Sequence, residues 1–226
     1  MLPRYESQIK ELQQMISKMM GRIVTASQMT LDAYSKHESE KFMDAISELK
    51  GLEHEANTID NEVIKTFALF GPEANELRML VAYLKMTNEL VRIGEGVKKY
   101  ARRMKEHCES ECDLSPLDTT IIQLHKSSLT ALKYIAECFD QMGNCEIDDF
   151  YRKIMVEESK NDDLFAIIEK DILSQIIRES ELSTEYVRVL GTLRKLERSC
   201  DRSVNIANLM LYAQKGGEMN IYNPIG

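Results

Sequence analysis

Apolar residues recur at three- and four-residue steps along almost the whole chain, the period of an amphipathic helix. From about Glu6 to His37 the stripe is Ile9, Leu12, Ile16, Met19, Ile23, Ala26 and Ala33. A second stripe runs from about Glu40 to Leu69 through Phe42, Ile46, Leu49, Ala56, Val63 and Phe67, and stops at the breaker Gly71-Pro72. A third, from about Glu73 to Lys105, carries Leu77, Leu80, Leu84, Val91 and Tyr100. The chain then turns polar from Cys108 to Pro116, and the plan repeats. Ile121, Leu124, Leu132, Ile135 and Phe139 mark a fourth helix from about Leu117 to Met142, set off by Gly143-Asn144. Tyr151, Ile154, Met155, Phe165, Ile168 and Ile172 mark a fifth from about Glu146 to Ile177. Tyr186, Leu190, Leu193, Cys200, Val204, Ala207 and Leu211 mark a sixth from about Thr184 to Gln214, ending at Gly216-Gly217. Three long helices, a polar linker and three more predict an all-α protein of two tandem, antiparallel three-helix bundles. Their expected bounds are residues 1–108 and 116–217, with a tail at 218–226.

Composition strengthens the all-α expectation: 226 residues hold four Pro, ten Gly, 13 Met and no Trp, with 43% hydrophobic residues. The net charge of −8 and pI near 5.2 argue against sequence-independent nucleic-acid binding, which needs a basic face to displace counterions. No uncharged apolar run approaches the ~20 residues that span a bilayer, so membrane contact is expected only peripherally, through partners. The start, MLPRYESQIK, lacks the apolar run of a signal peptide, and the five cysteines show no CxxC spacing. A reducing cytoplasm fits that pattern, with Cys138 and Cys200 as small core hydrophobes. His107, Cys108 and Cys112 fall at the polar linker and read as surface. Met15, Met19 and Met20 sit at core spacing. The basic run Lys98-Lys99-Tyr100-Ala101-Arg102-Arg103 reads as a solvated helix end, favourable near a helix C-terminus, with an acidic partner or lipid head groups as the minor alternative.

Acids that interrupt an apolar stripe need more explanation than acids on a solvated face. On the fifth helix the walk from Tyr151 passes Met155, Glu158 and Asp162 before Phe165. On the sixth, Glu197 lies between Leu193 and Cys200, with Asp201 one turn on. A carboxylate in a dry core protonates or finds a cation. Ion pairing with Arg92, Arg194, Arg198 or Lys160 is one solution. The sharper one places Glu158 and Asp162 opposite Glu197 and Asp201 as a four-carboxylate site. Oxygen-only sites suit magnesium, manganese, calcium or ferric iron rather than a thiolate-bound zinc. The first half offers Glu53, Asn57, Asp60 and Glu95, poorer in charge, so a site there should bind more weakly. Val91-Arg92-Ile93-Gly94-Glu95 also reads as a weaker copy of Leu196-Glu197-Arg198-Ser199-Cys200-Asp201, a little under half the chain away. That spacing suggests an internal duplication.

Other chemistries find little support. No His has a Glu three residues before it, as a ferritin-like di-iron site would require, and no GxGxxG, Walker, GxSxG or kinase signature occurs. A carboxylate-metal hydrolase or oxidase would also need a convergent base or nucleophile, which the acids lack. No catalytic residue is assigned. A metal-free helical scaffold is the remaining rival.

The duplicated helix pair resembles the PhoU family of phosphate-transport and phosphate-signalling accessory proteins. In that family a Glu/Asp-x-x-x-Asp motif recurs in each repeat, the later copy inside a Leu-Glu-Arg-Ile-x-Asp segment that leads into Asn-Ile-Ala. Here the second copy is intact, as Glu158-Ser-Lys-Asn-Asp162 and as Leu196-Glu-Arg-Ser-Cys-Asp-Arg-Ser-Val-Asn-Ile-Ala207. In the first, Glu53-His-Glu-Ala-Asn57 and Val91-Arg-Ile-Gly-Glu95 have each lost one acid. The resemblance implies multinuclear metal (iron, manganese or magnesium) on the bundle surfaces, a homodimer, and a regulatory rather than catalytic role. It further implies partners in a phosphate ABC transporter ATPase and a sensor histidine kinase, with repression of the phosphate-starvation response when phosphate is ample.

Overall fold

The computed structural model describes residues 3–141, 145–217 and 219. Its long elements are α1 (Pro3–Ser35), α2 (Phe42–Glu48), α3 (Leu52–Phe70), α4 (Ala74–Cys108), α5 (Asp118–Asp140), α6 (Ile147–Arg178) and α7 (Ser183–Lys215). Single 3-10 turns at Ser39–Lys41, Ser115–Leu117 and Ser180–Leu182 lead into α2, α5 and α7. No strand occurs among the described residues. The chain is all-α, with two tandem helical bundles. The expected separator Gly143-Asn144 lies outside the described residues, as does the tail apart from Met219.

Helix ends follow local chemistry. At the start of α4, Glu73 and Glu76 form a reciprocal capping box. Gly71 closes α3 in the left-handed region at φ +53°. The single helix expected from Glu40 to Leu69 is in fact two. Gly51 at φ +80° turns the chain between α2 and α3, a conformation that costs glycine little. The turn also changes the register: Ile59 is fully buried where the unbroken stripe put Asp60, which is only half-buried.

Helices α1, α4, α5 and α7 pack side by side at the centre, with α2 and α3 against α1 and α4, and α6 against α5 and α7. The α4–α7 contact is the most extensive. It is antiparallel, with Arg202 donating to Glu89 at 2.7 Å at one end and His107 meeting Glu185 (2.6 Å) and Thr192 (3.0 Å) at the other. Two apolar clusters fill the interior, and each crosses the repeat boundary. One joins Ile16, Ile23 and Leu90 with Ile135, Ile154 and Val204. The other joins Tyr34, Phe42 and Tyr100 with Leu124, Ile168 and Leu193.

Met19 and Met20 are in the core and Met15 is half-buried. The linker corner departs from the surface expectation, because His107 is 2% exposed, Cys112 is 5% exposed and only Cys108 is open. Cys138 is buried as expected but is not a free thiol, since it is disulfide-bonded to Cys145 at the base of the α5–α6 connection. Periodicity reports burial and is blind to a partner across a turn.

Candidate metal centre

Two hydrogen bonds dock α6 on α5 on either side of Glu158. The Ser127 hydroxyl donates to the Glu157 carbonyl at 2.7 Å, and the Asn161 amide donates to the Leu124 carbonyl at 2.9 Å. Buried Ile154, Phe165 and Ile168 hold the inner stripe of α6, while Leu193, Leu196, Cys200 and Val204 hold that of α7. Acids placed in or beside these stripes are carried into the α6–α7 seam. Oxygen atoms of Glu158, Asp162 and Asp201 lie within 4.8 Å of one another. Glu158 and Asp201 are buried, at 4% and 7% exposure, and Asp162 sits at the open edge. Three of the four acids expected in the second half are thus within reach of one ion. Glu197 stands beside them, outside that trio.

The electrostatics are those of crowded, partly dry carboxylates. Burial pushes Asp201 up to about 7, and Glu197, Asp162 and Glu158 add to the shift while Arg202 opposes it. Burial also raises Glu197, with Arg194 and Arg198 pulling back and Asp162 and Glu158 adding. Asp162, exposed as a whole residue, is raised by partial burial of its carboxyl and then by Glu158 and Asp163. Oδ1 of Asp201 and Oε2 of Glu197 are buried without a hydrogen-bond partner. For Asp162, Glu197 and Asp201, ion pairing, the milder explanation, is not found among the described residues. Arg92 reaches Glu89 (3.8 Å), Lys160 reaches Glu157 (3.5 Å) and Arg194 reaches Glu169 (4.0 Å). Among the described residues Asp162, Glu197 and Asp201 form no salt bridge.

The first half is arranged differently. Glu53 and Asn57 are exposed on α3. Glu95 is ion-paired with Lys98 at 2.7 Å. Asp60 is half-buried, its carboxyl raised by burial and partly restored by Thr87, with Oδ1 unpartnered. Among the described residues Glu53, Asp60 and Glu95 do not come together as Glu158, Asp162 and Asp201 do. Sequence reasoning overlooked Asn161, fully buried one turn from Glu158 with its Oδ1 unpartnered, and Asn205, one turn beyond Asp201 with the same orphan atom. Their place on the same inner stripes was the available signal. Neutral side chains simply drew less notice there than acids.

Fold and site together define a duplicated all-helical protein whose second repeat gathers carboxylates of the kind that hold hard cations. A model of the PhoU domain matches twice, over residues 16–104 and 121–210, and the chain belongs to the PhoU family. Among curated relatives, the phosphate-specific transport system accessory protein PhoU of Serratia marcescens is 26% identical over 162 residues. That match covers 72% of this chain and 64% of the relative, so it spans a little under two thirds of that protein's length. The Escherichia coli protein of the same name is 22% identical over 213 residues, covering 94% of this chain and 86% of its own. The crystal structure of PhoU from Pseudomonas aeruginosa superposes with a TM-score of 0.85 at 19% identity, covering 94% of this chain and 100% of that one. The Streptococcus pneumoniae phosphate transport system regulatory protein PhoU gives 0.77 at 17% identity, covering 97% and 99%. Those two likenesses establish the fold. Among the described residues no helix is long and apolar enough to cross a membrane.

Proposed function

We propose that this chain is a non-catalytic accessory and regulatory protein of phosphate uptake, held at the cytoplasmic side of a phosphate transporter. It links the transporter's ATPase to a sensor histidine kinase and represses the phosphate-starvation response while phosphate is plentiful, acting as a homodimer. Support for the transport role comes from family membership and from the names of the relatives. The kinase link, the repression and the dimer rest on the family resemblance alone.

The observation that carries the site's part in this function is the convergence of Glu158, Asp162 and Asp201 within 4.8 Å. These residues fit a hard cation: all donors are carboxylate oxygens, two buried oxygens at the site lack partners, and no salt bridge to Asp162, Glu197 or Asp201 competes. Iron, manganese or magnesium would be held by Glu158, Asp162 and Asp201, with Glu197 alongside. A bound cation would supply positive charge beside the clustered acids. The acids and the helices that carry them do the rest. Neutralised, the seam fixes α6 against α7 and presents one defined surface to a partner.

Elemental analysis of protein purified without chelators tests this directly. Bound metal is expected, and adding Fe³⁺, Mn²⁺ or Mg²⁺ should raise the melting temperature by several degrees. A ligand at a hundred times its Kd contributes about 2.7 kcal/mol to the native state. Replacing Glu197 and Asp201 together by Ala should lower metal content far more than Glu95→Ala. Metal-free protein with no thermal response, or equal losses in the two variants, would overturn the site. Loss of phosphate-dependent repression on deleting the gene, restored by the intact chain, tests the regulatory role.

A further inference from the structure

Helix α7 presents a second charged face. Taking about 100° per residue, Lys195, Arg198 and Arg202 lie on average roughly 110° around the helix from Glu197 and Asp201, turned toward α4 rather than α6. Along the α4–α7 seam they face the basic end of α4. A cavity of about 720 Å³ is lined by Lys99, Arg102, Arg103, Arg188 and Lys195. A second, of about 230 Å³, is lined by Arg92, Lys99, Lys195, Arg198 and Arg202. The two share Lys99 and Lys195, so they form one groove.

This concentration of positive charge occurs in a chain whose net charge is −8. Two acids line the groove, and both are engaged: Glu95 with Lys98 at 2.7 Å and Glu106 with Arg103 at 3.3 Å. Lys99, Arg102, Lys195 and Arg198 form no salt bridge among the described residues. A cleft lined by one sign of charge focuses its field and concentrates the opposite ion. We propose that the α4–α7 groove binds an extended polyanion of linked phosphates, with Lys99 and Lys195 at its centre.

The shape and chemistry of the lining select that ligand class. Arg92 and Arg102 are ten residues apart on one helix, about 15 Å along its axis, a row of cations far longer than a single phosphate can bridge. Arg and Lys side chains match phosphate oxygens through forked and point-charge hydrogen bonds. Among the described residues no aromatic side chain lines either cavity, so none of them offers a face on which a nucleobase could stack. The uncharged lining is Gly96, Gly191, Thr192 and Ser199, which offers no apolar pocket for the anchor residues of a docked protein. Gly191 is exposed, with nothing within 4 Å of where a Cβ would stand, and keeps the floor low. The groove belongs to a different seam from the carboxylate cluster. Its occupation does not depend on metal there, and failure of the metal reading would leave it standing.

Calorimetric titration of the metal-free full chain with orthophosphate, pyrophosphate and tripolyphosphate is the test. Affinity should rise with each added phosphate and weaken with salt. Lys99→Gln combined with Lys195→Gln should lower tripolyphosphate affinity roughly tenfold or more, since each removes a charge-assisted hydrogen bond. Lys99→Arg with Lys195→Arg should retain binding, and circular dichroism of each variant separates lost binding from lost folding. Lys65→Gln, at an exposed lysine of α3 outside the groove, should leave tripolyphosphate affinity unchanged. Equal affinity for orthophosphate and tripolyphosphate would overturn the proposal. So would equal binding of poly-glutamate, binding to anionic phospholipid vesicles without binding to tripolyphosphate, or unaltered binding by a folded double-Gln variant.

Discussion

His125 lies 1% exposed beside the second apolar cluster, its Nε2 3.1 Å from the Ser27 hydroxyl and its ring edge-on to Tyr100 of that cluster. Burial lowers its pKa from 6.5 to about 3, opposed by hydrogen bonding of the ring to the Ser27 backbone. The unfolded chain therefore takes up a proton as pH falls through 6.5, whereas the native chain does so only near 3. Between those values the unfolded state holds more protons, and stability is lost as pH falls. Asp201, raised to about 7, works in the opposite sense, because its native carboxyl takes a proton first as pH falls. The two are separable by mutation. Melting temperatures followed from roughly pH 7 to pH 4 should fall less steeply for His125→Gln than for the unaltered protein. Identical slopes would show that His125 is not held neutral.

Helices meet closely where their sequences supply small residues. Gly94 on α4 is buried against α3 and α1, and a Cβ there would run into the Leu52 side chain and come within 3.7 Å of Ile23. Leu52 is itself 1% exposed and has no free space to retreat into. Gly94→Ala should therefore cost about 1–3 kcal/mol, the usual range for overpacking a core. Gly96, two residues on, faces the α4–α7 seam, where a Cβ would meet the Ser199 hydroxyl at an ordinary 3.5 Å. Gly96→Ala should be neutral or stabilising by up to about 1 kcal/mol, from helix propensity. Chemical denaturation of the two variants side by side checks the contrast. Gly94 occupies in Val91–Glu95 the place that buried Cys200 holds in Leu196–Asp201. The duplicated pattern is therefore partly a packing pattern, in which a small residue lets each helix approach its neighbour.

For the whole molecule, the decisive feature is that neither apolar cluster belongs to one repeat. Ile16, Ile23 and Leu90 share a core with Ile135, Ile154 and Val204, and Tyr34 and Tyr100 share one with Leu124, Ile168 and Leu193. Arg202 with Glu89, and His107 with Glu185 and Thr192, tie both ends of the seam between repeats. Separating the halves would strip both cores. The full chain should unfold in one cooperative calorimetric transition, and residues 1–108 expressed alone should show none. Two resolved transitions, or a cooperatively folding fragment, would mean that the repeats are energetically independent.

Helical period, the glycine and proline stops and the duplicated acid motif were legible because they are local, each set by neighbours within a few residues. They determined an all-α chain of two helical repeats, and they marked Glu158, Asp162, Glu197 and Asp201 as acids out of place on apolar stripes. Other features were not legible, because they arise from contacts between distant segments or from the backbone path. Gly51 breaks α2 from α3 and shifts the register at Asp60; His107 is covered by α7; Cys138 finds Cys145. The basic run near Lys99 read as an ordinary solvated helix end, since nothing within its own helix says that Lys195 and Arg198 stand opposite. Spacing along α6 and α7 named the acids but did not decide which would meet. Tertiary packing brought Glu158, Asp162 and Asp201 together and left Glu197 beside them, because the way two helices are docked settles which of their side chains share a space.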